Sequence, residues 1–129
     1  MKLMLAQFVS MNTSIEPFIT ISEPEVLIAL DIERIVRLAF PMLADIKVLA
    51  LDDLLATDIH VDLAICDVGE RVDVCRAALD QLSSRGTAII VITTLDETLL
   101  SNWPWPVIQK PFLDEVLLAQ IGLAFANGR

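Results

Sequence analysis

Hydrophobic and polar positions follow two alternating patterns along the chain. From residue 25 onward, apolar runs of strand length alternate with longer stretches in which apolar residues recur at helical spacing. This alternation is typical of βαβ units, in which helices cover both faces of a parallel sheet. The predicted strands are 25–30, 46–50, 61–66, 88–93 and 106–109. The predicted helices are 32–44, 52–57, 71–84, 95–102 and 113–126.

Two of the predicted helices carry a local end signal. Thr94 with Glu97 three residues later has the spacing of a capping box, which predicts the start of helix 95–102. Gly86 suits the C-terminal cap of helix 71–84, because glycine tolerates the left-handed backbone that such caps adopt. These signals support a helix between each of the last three strands.

The number of strands limits the topology. Five strands joined by right-handed crossovers leave few arrangements, of which the flavodoxin-like order 2-1-3-4-5 is the commonest at this size. The sequence therefore predicts an α/β fold, a flavodoxin-like (βα)5 three-layer sandwich around a parallel five-stranded sheet. A length of 129 residues suits one compact core. We expect residues 1–22 to form an N-terminal extension and residues 23–129 to form the domain.

Composition and charge exclude several classes of protein. The net charge is −9 and no basic patch is visible, which opposes binding to nucleic acid. The apolar stretch at the N-terminus is broken by Gln7 and is too short to span a membrane. Cys66 and Cys75 are too few for a disulfide framework, so we expect buried free thiols in a cytoplasmic protein.

Polar side chains stand at the carboxyl ends of four predicted strands, namely Asp31, Asp67, Thr93 and Lys110. In an open parallel sheet, ligands bind outside the carboxyl ends of the strands, so these groups are expected to converge. Two carboxylates, a hydroxyl and an ammonium suit phosphate and a divalent cation. Plain structural roles are the alternative: acids at strand ends often cap helices, threonine is common in strands, and a lysine can be a solvated charge.

Four pieces of sequence occur in order at these strand ends: Val26-Leu27-Ile28-Ala29-Leu30-Asp31, Asp62-Leu63-Ala64-Ile65-Cys66-Asp67-Val68, Ile90-Val91-Ile92-Thr93-Thr94 and Lys110-Pro111-Phe112. Together they resemble the receiver domain of two-component response regulators over residues 25–126. The resemblance implies that Asp67 is the phosphoacceptor, Thr93 the switch hydroxyl and Lys110 the site lysine. It also implies a Mg²⁺ site formed by Asp31, Asp67 and the backbone carbonyl of Gly69.

The chain differs from the receiver pattern at two positions. Leu30 stands where receivers carry the first of two adjacent acids, so we expect weak Mg²⁺ binding. Val107 stands where receivers carry an aromatic ring three residues before the lysine, so a rotating ring cannot be coupled to Thr93 there. The Lys110-Pro111 bond is commonly cis in receivers.

The resemblance predicts a single-domain response regulator that takes a phosphoryl group on Asp67 from a histidine kinase or phosphotransferase. It would signal through altered contacts with a downstream protein. The alternative is a phosphorylation-independent pseudo-receiver, a protein-interaction or dimerisation module, which Leu30 and Val107 favour. An enzyme is not predicted, because the chain has no glycine-rich loop and no nucleophile–base pair, and its one histidine, His60, lies at the far end of a strand.

The final predicted helix is apolar on almost every side. Because one helix buries only a stripe against a sheet, the remaining apolar residues predict a homodimer or partner surface. Leu117, Leu118 and Ile121 are the residues at which we expect to test it. Trp103 and Trp105, just before the last strand, are predicted to be packing or hinge residues.

Overall fold

The computed structural model describes residues 16–40 and 44–126, which form a parallel five-stranded sheet with helices on both faces. The strand order is β2-β1-β3-β4-β5, as the sequence predicts. The strands are β1 (Phe18–Ser22), β2 (Asp45–Val48), β3 (Leu63–Val68), β4 (Ala88–Thr93) and β5 (Val107–Gln109). The helices are α1 (Val26–Ala39), α2 (Leu51–Ala56), α3 (Val72–Ser84) and α4 (Asp114–Ala126), with a 3₁₀ turn at Glu97–Leu100.

Two apolar layers hold the sheet between the helices. Side chains alternate along each strand, so Leu63 and Ile65 of β3 face one layer while Ala64 and Cys66 face the other. The first apolar layer joins the sheet to α1 and α4, and the second joins it to α2 and α3. Nearly every residue of β3 and β4 is buried, as expected for central parallel strands covered on both faces.

The predicted strand 25–30 is wrong, because residues 26–30 form the first turns of α1. The buried positions of α1 recur at helical spacing, namely Ala29, Ile32, Ile35 and Val36. Within the apolar run that suggested a strand, Val26, Leu27 and Leu30 are exposed. The predicted helix 32–44 therefore begins at Val26 and ends at Ala39.

The first strand lies earlier in the chain than predicted. Phe18–Ser22 forms β1 between β2 and β3, and Ile19 and Ile21 within it are fully buried. The boundary predicted at residue 22 is corrected accordingly, because the sheet already includes Phe18. Residues 1–15 of the predicted N-terminal extension lie outside the described residues.

The connections show one wrong prediction and one correct one. The predicted helix 95–102 is only the 3₁₀ turn Glu97–Leu100. The residue that caps this turn is Asp96 and not Thr94, because Asp96 Oδ1 accepts the backbone N–H of Thr98 at 3.0 Å. Gly86 follows the end of α3 with a φ of 89°, the left-handed backbone expected of a helix cap. Within residues 16–40 and 44–126, no helix is long and apolar enough to cross a membrane.

Candidate functional site

Three charged side chains meet at the carboxyl edge of the sheet. Lys110 follows β5, Asp67 lies near the end of β3, and Glu23 directly follows β1. The Nζ atom of Lys110 is 2.8 Å from Glu23 Oε1 and 3.0 Å from Asp67 Oδ1. Because β1 and β3 are neighbours, with Ser22 paired to Cys66, Glu23 lies beside Asp67 and one ammonium contacts both carboxylates.

This Glu23–Lys110–Asp67 triad is nearly excluded from solvent. The exposed fractions of the three side chains are 1% for Glu23, 9% for Lys110 and 12% for Asp67. Opposite charges interact more strongly when protein replaces water, although each ion also loses hydration. The triad keeps one uncompensated negative charge, which favours a further cation or hydrogen-bond donors.

The environment of the triad changes two pKa values. Burial alone would lower the pKa of Lys110, but its hydrogen bonds to Glu23 and Asp67 outweigh burial and raise that pKa above 10.5. Burial raises the pKa of Asp67 above 3.8, and the Lys110 hydrogen bond opposes this only in part. Lys110 is therefore a fixed cation at neutral pH.

Thr93 ends β4 and is fully buried beside the triad. Its Oγ1 accepts the backbone N–H of Leu95 at 2.9 Å and donates to the Val68 carbonyl over a long 3.4 Å. The Thr93 carbonyl accepts the backbone N–H of Lys110 at 2.7 Å, so the two residues are joined directly through the backbone. The Lys110-Pro111 peptide bond is cis.

Asp31 does not lie at a strand end, so the reason for predicting it as a metal ligand is wrong. It lies on α1, half exposed, and its Oδ1 is 2.8 Å from Arg34 Nη2, which is also 2.9 Å from Asp114 Oδ1. These contacts join α1 to α4. Leu30, which was expected to weaken the metal site, is exposed on the same helix.

Glu23 is the site residue that the sequence prediction missed. The signal was available in Phe18-Ile19-Thr20-Ile21-Ser22, a β-branched segment that ends immediately before Glu23 and Pro24. A proline just after such a segment is compatible with a strand end and the start of a helix. The structure brings Asp67, Thr93 and Lys110 together at the carboxyl edge of the sheet, and the residue that follows the neighbouring strand β1 there is Glu23 and not Asp31.

Carboxylate oxygens are the ligands that Mg²⁺ prefers, and the triad supplies them. The position of the Lys110 ammonium shows that one cation can contact Glu23 and Asp67 together. In the described part of the chain, no group of three His, Cys, Asp or Glu residues could hold a metal ion. The two carboxylates of the triad fit a Mg²⁺ ion that keeps most of its water ligands.

The mouth of the site is bordered by a groove and an apolar rim. The groove has a volume of about 340 Å³ and is lined by residues at the start of α1, by Thr94 after β4 and by the segment after β5, and its lining includes both Asp31 and Lys110. Four exposed apolar residues are each next in sequence to a residue that lines the groove, namely Val26, Leu27, Leu30 and Leu113. We call these four residues the apolar rim. Exposed apolar groups clustered near a charged site are typical of a protein interface.

The two cysteines are weakly reactive at neutral pH. Burial raises the pKa of Cys66 to about 12, and burial also raises the pKa of the partly exposed Cys75. A thiol needs its thiolate form to react, so both are poor nucleophiles at neutral pH.

Comparisons with known proteins identify the fold. No protein-family model and no curated sequence matches the chain. A response regulator receiver protein from Sinorhizobium medicae superposes with a TM-score of 0.70 at 15% identity, over 87% of this chain and 96% of that one. A CheY-like response regulator protein from Mesorhizobium loti gives 0.65 at 16% identity, over 84% and 98%. The pilus assembly protein CpaE from Caulobacter crescentus gives 0.63 at 14% identity, over 82% and 97%. The chain has the fold of CheY-like response regulator receiver domains.

Proposed function

We propose that the protein is a response regulator receiver that accepts a phosphoryl group on Asp67 from a histidine kinase or phosphotransferase. The observation that carries the proposal is the buried Lys110 ammonium 3.0 Å from Asp67 Oδ1. A fixed cation beside a carboxylate compensates the charge that a phosphoryl group brings, and phosphoryl transfer depends mainly on such compensation. The receiver fold supports the same function.

The chemistry follows from the position of each side chain. An Asp67 carboxylate oxygen forms a bond to phosphorus while the bond from phosphorus to the donor nitrogen breaks, and the electron pair of that bond leaves with the donor imidazole. Lys110 stabilises the phosphoryl oxygens, Glu23 holds Lys110 in place, and the Thr93 hydroxyl donates a hydrogen bond to one oxygen. A Mg²⁺ ion held by Asp67, Glu23 and the Gly69 carbonyl would add charge compensation.

The donor has a surface on which to dock. The groove is lined in part by Lys110, and the apolar rim consists of exposed neighbours in sequence of its lining residues, so a partner carrying a phosphohistidine would bury apolar residues there while its imidazole approaches Asp67. Free thiols at Cys66 and Cys75 suit the reducing cytoplasm, where we place the protein in this proposal.

The decisive experiment is incubation with acetyl phosphate and Mg²⁺ followed by intact mass measurement. We expect one phosphoryl group on the wild type and none on Asp67→Asn. Asp73→Asn, which changes an exposed acid in the first turn of α3, is the matched control and should be labelled like the wild type. A wild type that takes no label at saturating Mg²⁺ would overturn the proposal.

A phosphorylation-independent interaction module is the second candidate. Lys110 favours this candidate, because its ammonium already compensates the negative charge of Asp67 without a phosphoryl group. The fold shared with a pilus assembly protein also favours it. In that case Asp67→Asn would bind the downstream partner as tightly as the wild type. A loss of partner binding in Asp67→Asn, together with labelling of the wild type, would exclude this candidate.

The outer side of α4 is the surface we propose for a homodimer. Leu117 and Ile121 are buried, and Leu118 packs partly against the first apolar layer, so none of the three residues chosen from the sequence is exposed. Val116 and Leu123 are 42% and 53% exposed instead. We call the exposed residues Val116, Ala119, Gly122, Leu123 and Ala126 the α4 surface. No charged residue occurs from Val116 to Ala126, so two copies of a protein with a net charge of −9 can approach there with little repulsion.

A further inference from the structure

An arginine and two tryptophans form a cluster on the α3 side of the sheet. The guanidinium carbon of Arg76 lies 5.7 Å from the centre of the Trp103 ring and 5.3 Å from that of Trp105. The two indoles meet edge to face with centres 5.7 Å apart. Both pack against the second apolar layer. One cation over two aromatic faces is an attractive arrangement, because the ring faces carry negative potential.

We call this Arg76–Trp103–Trp105 cluster the clasp. It connects helix α3, which follows Asp67, to the segment that leads through β5 to Lys110. Helix α3 begins at Val72, directly after the loop that follows Asp67. Trp105 lies two residues before β5, which leads directly into Lys110. Strand β4 separates β3 from β5, so these two strands share no backbone hydrogen bonds. The clasp is thus a side-chain contact between the helix that follows Asp67 and the segment that leads to Lys110.

The other end of the tryptophan segment is attached to Thr93. Residues 94–106 run from Thr93 to β5, and the first hydrogen bond in this segment is the one from Leu95 N–H to Thr93 Oγ1. The proton of the Thr93 hydroxyl is held only by the long contact of 3.4 Å to the Val68 carbonyl. A phosphoryl oxygen on Asp67 offers a stronger, charged acceptor. When the hydroxyl turns toward that acceptor, Leu95 and the segment behind it must follow or lose the hydrogen bond.

We infer that Arg76 is a positioning residue whose clasp on Trp103 and Trp105 couples segment 94–106 to the phosphoryl state of Asp67. This inference rests on the proposed function. Coupling is reciprocal, so a change at Asp67 alters the indole environment, and loss of the clasp alters the lifetime of the phosphoryl group on Asp67. A clasp that only stabilised the fold would leave the phosphoryl lifetime unchanged.

The test uses the intrinsic fluorescence of the full chain together with intact mass. The chain contains two tryptophans and no tyrosine, so its indole emission comes only from Trp103 and Trp105. In the wild type treated with acetyl phosphate, we expect emission to change in step with label on Asp67. Arg76→Gln should still take the label, lose most of the emission change, and alter the phosphoryl half-life by about twofold or more.

Arg37→Gln is the matched control. Arg37 and Arg76 each form an exposed ion pair with an acid four residues away at 3.4 Å, but Arg37 lies on α1 in the other helical layer. Arg76→Lys keeps the charge and loses the planar group, so it guards against a folding defect and should give an intermediate response. Label without an emission change in the wild type, or an Arg76→Gln variant that behaves like Arg37→Gln, overturns the inference while the proposed function stands. Absence of label overturns the proposed function and the coupling with it.

Discussion

The ammonium of Lys110 and the carboxylate of Glu23 form an ion pair 2.8 Å long in which both side chains are more than nine-tenths buried. Lys110 follows the edge strand β5, whereas Glu23 follows β1, which is separated from β5 by β4 and β3. The lysine therefore reaches over the ends of β4 and β3, and Asp67 lies on its path. This pair holds the Lys110 ammonium beside Asp67.

Removing Glu23 should destabilise the protein and disturb the site together. We expect Glu23→Ala to lower the free energy of unfolding by about 2 kcal/mol, because a buried ion left with fewer partners is costly. Urea unfolding measures this. Glu25→Ala, at an exposed position that caps α1 without a side-chain hydrogen bond, should change stability by less than about 0.5 kcal/mol. Equal losses in both variants would contradict the role given to Glu23.

Stability should fall at alkaline pH because of Lys110. Its pKa in the folded protein is raised above 10.5, the value in an unfolded chain, so its contribution is complete below pH 10.5 and is lost as pH rises through the folded pKa. Urea unfolding of the wild type and of Lys110→Met across this range should show a loss in the wild type that is smaller in the variant. The same alkaline loss in both proteins would argue against the ion pair.

Magnesium binding should depend on Glu23 and not on residue 30. Leu30 is exposed on α1, so Leu30→Asp should leave the Mg²⁺ affinity unchanged, contrary to the expectation from the sequence. Glu23→Gln should weaken binding, because it removes one of the two carboxylate charges at the site. Calorimetric titration of both variants distinguishes the two positions. Tighter binding in Leu30→Asp would place the metal near α1 instead.

Charge introduced on the α4 surface should separate a dimer. We expect Leu123→Lys to shift the sedimentation of the wild-type dimer to that of a monomer, because a buried lysine would lose hydration without a partner. Leu38→Lys, at an exposed apolar position of α1, is the control and should leave the sedimentation unchanged. A wild type that is monomeric at high concentration would show that this surface serves another purpose.

The sequence predicted most of the fold because its strongest signals come from the buried strands. The runs around β3 and β4 are apolar, contain β-branched residues and are buried on both faces, and that combination favours a strand over a helix. The sheet order then followed from general rules of chain connection. Asp67 and Thr93 lie at the carboxyl ends of those central strands, where the sequence places them, for the same reason.

The error at α1 has a physical cause. A short apolar run such as Val26–Leu30 fits a buried strand and the start of an amphipathic helix equally well, and period alone cannot separate them over five residues. Burial of Ala29, Ile32 and Ile35 decides in favour of the helix, but burial is a property of the whole fold. Because the first strand was predicted at 25–30, Asp31 was predicted to follow its end, where the structure has Glu23 after β1.

The charges on β2 oppose one mode of association between copies of this protein. β2 is an edge strand, and its exposed Asp45 and Lys47 would have to be desolvated if another molecule extended the sheet there. The contact proposed through the α4 surface, by contrast, would use the same patch on both partners and end at two subunits. If copies of this chain pair as proposed, the charged edge of β2 and the α4 surface together favour a closed pair over open-ended growth into fibres.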